Sequence, residues 1–92
     1  MSRSVYTREY QLFLQQLKAA REASGLTLRE VALRLDRSHS YVAKCENGHN
    51  RVDIAQLYEF CRVYGVPFSR FTSDLEKLVE AEVKTAARKS RG

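Results

Sequence analysis

His39, Ser40, Ala43 and Lys44 are the residues of this chain best suited to chemistry on a partner. Together they offer hydrogen-bond donors and acceptors, a methyl group and a cation, with no acid among them. On a helix that spacing places all four on one face. Such a set can enter the major groove of a nucleic-acid duplex without charge repulsion. Bond-making chemistry finds no comparable support. The sequence shows no Ser/His/Asp arrangement, paired buried carboxylates, Gly-rich phosphate loop or metal cluster, so no enzyme and no cofactor is expected. His39 and His49 have no Cys or carboxylate around them at ligand spacing, so no metal is expected. Cys45 and Cys61 form no C-x-x-C pair. They lie among apolar neighbours on expected helices and read as small core hydrophobes in a reducing cytoplasm.

The elements that must hold His39 to Lys44 in place are helical. Ser24-Gly25, Asn47-Gly48 and Gly65-Val66-Pro67 follow helical patterns, and Gly past a helix end takes the left-handed conformation that closes it. Thr27 with Glu30, Asp53 with Gln56 and Ser73 with Glu76 read as capping boxes, and Ser38 as a further N-cap. Apolar residues recur at helical intervals, and no segment alternates strictly for the length of a strand. The reading is all-α, with helices at 7–23, 28–35, 39–47, 54–64 and 74–88 and room for a single turn near 68–71. The aromatic residues Tyr6, Tyr10, Phe13, Tyr58, Phe60, Tyr64, Phe68 and Phe71 read as core or interface, since helical spacing turns most of them inward.

Residues 27–48 form the central unit. The connection Leu35-Asp36-Arg37-Ser38 is too short for the second helix to return antiparallel. It suits the crossing of about 90–120° in a helix-turn-helix. Val31, Ala32, Leu35, Val42 and Cys45 point inward in this reading, and Ala32 is small enough for two helices to approach closely.

At this point the sequence resembles a known family. Gly25-Leu-Thr-Leu-Arg-Glu-Val-Ala32, then Ser40-Tyr-Val-Ala-Lys-Cys-Glu-Asn-Gly48, then Tyr64-Gly65-Val66-Pro67 are similar to the lambda-repressor-like, Cro/Xre-type helix-turn-helix family over about residues 10–72. The resemblance implies a compact five-helix domain that binds double-stranded DNA. Helix 39–47 would be the recognition helix, with His39, Ser40, Ala43 and Lys44 reading bases. Lys44 would donate to guanine O6 and N7, and Ala43 would meet a thymine methyl. Thr27, Leu28, Arg29, Tyr41, Asn47, His49, Asn50 and Arg51 match phosphate-contacting or groove-edge positions. At 27 and 28 the contact would come from backbone N–H groups at a helix start. Arg21 and Glu46 match a structural ion pair. Two positions depart from the pattern: Leu28 replaces the family's usual Gln, leaving Arg29 to supply charge, and Asp36 replaces a common Gly.

Composition sets the bounds. The 92 residues suit one small domain, and 43% hydrophobic content is too high for a disordered chain. No apolar run approaches the roughly 18 residues of a membrane span, and the N-terminus lacks the apolar stretch of a signal peptide. The expected location is the cytoplasm of a bacterium, or of one carrying phage genes, with the protein on the nucleoid when bound. The net charge is +5 and favours a polyanionic partner. The charge is uneven: residues 73–83 are acidic in sum, whereas Lys84, Arg88, Lys89 and Arg91 follow without an acid. The expected organisation is a DNA-binding domain at 1–72, a C-terminal helix at 73–88 and a basic tail at 89–92. Leu75, Leu78, Val79, Val83 and Ala86 form a stripe that either packs on the first helix or pairs with another chain, with a lean to dimerisation. Two functions fit. One is a transcriptional regulator, a repressor acting as a homodimer on a pseudo-palindromic operator. The other is an antitoxin or restriction-modification controller whose C-terminal helix binds a protein partner.

Overall fold

A computed structural model describes the backbone of residues 7–91 and the side chains of residues 7–85. Those residues form α1 (Arg8–Ser24), α2 (Leu28–Leu35), α3 (His39–Glu46), α4 (Ile54–Tyr64) and α5 (Phe68–Arg91), with no strand among them. The all-α, five-helix reading holds, and the local signals account for four of the five helices. Thr7, Thr27, Ser38 and Asp53 each accept a backbone N–H at a helix start. Thr27 with Glu30 and Asp53 with Gln56 are complete capping boxes. Gly25 and Gly65 close α1 and α4 in the left-handed conformation.

The sharp turn between α2 and α3 rests on Asp36. It is the one described non-glycine residue with positive φ, at 57°. Asp tolerates that region better than most residues. Its N–H and that of Arg37 fold back onto the carbonyls of Leu33 and Ala32, so α2 ends in satisfied hydrogen bonds.

One core joins the five helices. Phe13 and Leu17 of α1 meet Val31 and Ala32 of α2, Val42 and Cys45 of α3, and Leu57, Phe60, Cys61 and Tyr64 of α4. Leu35 packs on the edge of this cluster. Both cysteines are buried and free, and burial pushes both thiols up, so they remain neutral packing groups. Ile54 and Tyr58 of α4 lie outside the core. They are 72% and 54% exposed, because α4 turns its Leu57–Phe60–Cys61–Tyr64 face to the core and leaves these two at the flank. Tyr6 lies outside the described residues.

The last helix also departs from its expected bounds. It starts at Phe68 rather than 74, and it runs through Arg91, so the expected tail is helical to that residue. Pro67 suits a helix start, and its carbonyl takes the N–H groups of Arg70 and Phe71, both at 3.0 Å. Phe71 is 1% exposed, so this turn is drawn into the core. Ser73 therefore lies within the helix, not at its cap. Its neighbour Thr72 is accommodated there by donating its hydroxyl to the carbonyls of Phe68 and Ser69.

α5 runs antiparallel along α1. Gln16 Nε2 donates to the Phe71 carbonyl at 2.9 Å, and Arg8 Nε meets Glu82 at 2.8 Å at the other end. Leu75, Leu78 and Val79 are half-buried in this arrangement, whereas Val83 is 55% exposed. The side chain of Ala86 lies outside the described residues. No helix among the described residues is long and apolar enough to cross a membrane.

Candidate nucleic-acid interface

α3 is anchored on one side and open on the other. Val42 and Cys45 are fully buried, while His39, Ser40 and Lys44 are exposed and Ala43 is half-buried. The four residues expected to read bases therefore share the outer face. The acid of this helix, Glu46, is turned away from that face. Its carboxylate takes Arg21 Nε at 2.6 Å and Arg21 Nη2 at 3.1 Å. Arg21 also donates to the Leu26 carbonyl at 3.1 Å, tying α1 to the start of α2. The Glu46 hydrogen bond, foremost, raises the Arg21 pKa and keeps the guanidinium charged.

The phosphate-contacting candidates fall into two groups at opposite ends of α3. Leu28, Arg29 and Thr27 line a concavity of about 660 Å³ that also takes in His39. Thr27 is already engaged there: its N–H donates to Glu30 at 2.9 Å, and its hydroxyl also meets that carboxylate. The Leu28 side chain packs on the core. The N–H groups of Leu28 and Arg29 open the helix, where intrahelical partners are lacking and the helix dipole favours an anion.

The second group lies after the C-terminus of α3. Asn47 caps the helix and its Oδ1 accepts the His49 N–H at 3.2 Å. The Asn50 N–H returns to the Lys44 carbonyl at 3.1 Å, which stitches this loop to α3. Arg51 extends over the Tyr10 ring, 4.7 Å from its centroid, and Tyr10 Oη accepts the Val52 N–H at 2.9 Å.

Tyr41 is bound more closely into the fold than a groove-edge residue requires. It is half-buried, its ring lies parallel to Phe60, and its hydroxyl accepts Gln56 Nε2 at 2.8 Å. Gln56 Oε1 meanwhile accepts the Asp53 N–H at 2.7 Å. One side chain thus completes the cap of α4 and braces α3. The Arg37 guanidinium lies over the Tyr41 ring, 4.4 Å from its centroid. Sequence reasoning found Gln56 as a cap but not as a brace, and it did not single out Arg37. The signal available for Arg37 was its spacing of four residues from Tyr41, which lies across a helix boundary. Among the described residues there is no group of three or more His, Cys, Asp or Glu side chains that could hold a metal ion.

The chain is similar to known helix-turn-helix proteins. Residues 12–70 match a family described as a helix-turn-helix domain. A solved structure of an XRE-family like protein from Pseudomonas syringae pv. tomato str. DC3000 has a TM-score of 0.73 and 40% identity, covering 76% of this chain and 85% of that one. A Rhodospirillum rubrum protein described as an uncharacterized transcriptional regulator in the ATPase CF(0) region is 33% identical over 63 residues. That alignment takes in 68% of this chain and 58% of the relative's length, so less than two thirds of the relative is matched. With its α2–turn–α3 unit, the open outer face of α3 and these likenesses, the chain belongs to the Cro/Xre-type helix-turn-helix family.

Proposed function

We propose that this protein is a sequence-specific, double-stranded DNA-binding transcriptional regulator, a repressor that acts as a homodimer on a pseudo-palindromic operator in the cytoplasm. The observation that carries the reading is the outer face of α3. It presents His39, Ser40, Ala43 and Lys44 free of acids, on a helix held by Val42, Cys45 and the Arg21–Glu46 pair. α3 enters the major groove. Lys44 donates to guanine O6 and N7, His39 and Ser40 exchange hydrogen bonds with base edges, and Ala43 meets a thymine methyl. Phosphates are held by the N–H groups of Leu28 and Arg29 at one end of α3, and by Asn47, His49, Asn50 and Arg51 at the other. Tyr41 braces the groove edge. Occupying an operator in this way blocks access to the promoter. The chemistry needs binding alone, with no bond made or broken.

The partner-protein reading has one observation in its favour. α5 continues to Arg91, and Val83, next to the Arg8–Glu82 pair, is exposed. An antitoxin or controller would use that end of the helix.

In vitro selection from random duplex DNA tests the proposal. A repressor of this kind enriches an inverted repeat with half-sites centred about 34–36 Å apart. Salt-sensitive binding with no enriched motif would favour the partner-protein reading instead.

A further inference from the structure

Arg37 is an exposed cation in the α2–α3 turn, between the left-handed Asp36 and the Ser38 cap. The ion pairs among the described residues are Arg8–Glu82, Arg21–Glu46 and Arg70–Asp74, so no carboxylate neutralises Arg37. Its guanidinium is nevertheless held in place, over the Tyr41 ring at 4.4 Å from the centroid. That ring is itself fixed: it is half-buried, parallel to Phe60 and tied through its hydroxyl to Gln56. An arginine seated on an aromatic face keeps the N–H donors at its edge for another group. Stacking also restricts the side chain beforehand, so less ordering is left to occur on binding than for a free surface arginine.

The place of Tyr41 on α3 says what that other group is. Lys44 follows it by three residues and Cys45 by four, so both are its neighbours on the helix surface. Lys44 is exposed and Cys45 fully buried. Tyr41 therefore lies on the flank where the outer face gives way to the buried side. A helix with its side chains is about 10–12 Å across, and a major groove is about 12 Å wide. A helix seated with its outer face on the bases thus brings its flanks against the sugar-phosphate backbones.

We propose that Arg37 holds a backbone phosphate of the DNA beside α3, with Tyr41 as its rigid seat. The inference rests on the reading of α3 given above. It adds a third anchor to the two groups of phosphate contacts at the ends of that helix. A phosphate is favoured over a base because the guanidinium lies on the Tyr41 flank, not on the face that carries His39, Ser40, Ala43 and Lys44.

The experiment titrates random and selected duplexes at several salt concentrations. The proteins are the wild-type chain, Arg37→Gln, Arg37→Lys and Arg70→Gln. Arg70 is an exposed cation of α5, which makes no contact with α3 among the described residues, so Arg70→Gln controls for net charge. Each substitution is at an exposed position, and melting temperatures recorded alongside verify that the variants fold. Arg37→Gln is expected to bind both duplexes about tenfold more weakly, the loss of one charge-assisted hydrogen bond. It lowers the slope of log affinity against log salt by about one. Arg37→Lys restores the slope, and Arg70→Gln leaves slope and affinity unchanged. Selected duplexes with a single neutral methylphosphonate linkage then locate the contact. The wild type loses affinity at one linkage in each half-site where Arg37→Gln does not. An unchanged slope in Arg37→Gln, or an equal loss of slope in Arg70→Gln, would overturn the proposal. So would a loss confined to the selected duplex, which would make Arg37 a base reader. A wild type that selects no sequence overturns the reading of α3, and the random-duplex slope of Arg37→Gln still decides the phosphate contact.

Discussion

The Arg21 guanidinium and the Glu46 carboxylate meet in two hydrogen bonds, of 2.6 and 3.1 Å, between α1 and the last residue of α3. Their side chains are only 13% and 8% exposed. This contact ties α3 to α1, and it removes the one acid of that helix from the outer face.

Removing either partner alone strands a charge that is mostly out of water. Arg21→Ala or Glu46→Ala is expected to cost about 3–5 kcal/mol in urea unfolding. The double change Arg21→Met with Glu46→Leu recovers most of that loss, because the stranded charge is gone. DNA binding by the single variants falls in step with the folded fraction. A single variant that folds normally but loses DNA binding would make the pair a contact rather than a support.

Lys44 and Arg51 are both exposed cations, yet their expected roles differ. Lys44→Ala weakens binding to the selected duplex by about 1–3 kcal/mol and leaves random duplex nearly unchanged. Arg51→Ala weakens both and lowers the slope of log affinity against log salt by about one. Titrations at several salt concentrations separate the two. Equal losses for Lys44→Ala on both duplexes would remove it from the base-reading set.

Tyr41 links α3 to α4 through its hydroxyl and through its ring. Tyr41→Phe deletes the Gln56 hydrogen bond and keeps the ring on Phe60. The expected cost is about 0.5–1.5 kcal/mol of stability. If Tyr41 acts as a brace, Gln56→Ala lowers affinity for the selected duplex although Gln56 lies outside the outer face of α3. Unchanged specific affinity in Gln56→Ala would restrict Gln56 to capping.

The Thr27 N–H and, less strongly, its hydroxyl hold the Glu30 carboxyl below its ordinary value of 4.5. A depressed carboxylate stabilises the fold above that ordinary value and loses its contribution as pH falls through the folded-state value. The melting-temperature gap between wild type and Glu30→Gln is therefore wider at pH 6 than at pH 3. A gap that grows toward low pH would contradict the capping-box account.

Much of this was legible in the sequence because the signals are local. Caps at Thr27, Ser38 and Asp53, stops at Gly25 and Gly65, and a short Leu35–Ser38 connection each determine their own neighbourhood. The outer face of α3 follows from helical period once Val42 and Cys45 point inward. The start of α5 was not legible. Ser73 carries a good cap signal, but the burial of Phe71 and the hydrogen bonds onto Pro67 extend the helix back past it. Helical period also could not separate Ile54 and Tyr58 from the buried residues of α4. They share the spacing of a core stripe, and only the angle at which α4 meets its neighbours leaves them at the flank. The Tyr41–Gln56 brace joins residues on different helices, and pairings of that kind depend on tertiary packing.

The central claim is that the outer face of α3 reads base sequence. Its most direct test is parallel selection from random duplex DNA by the wild-type protein and by Lys44→Gln. The account predicts an inverted repeat for both proteins with the same half-site spacing. It predicts a changed preference at one position in each half-site, from guanine toward the adenine that Gln contacts through N6 and N7. Identical motifs from the two proteins, or no motif from the wild type, would contradict it.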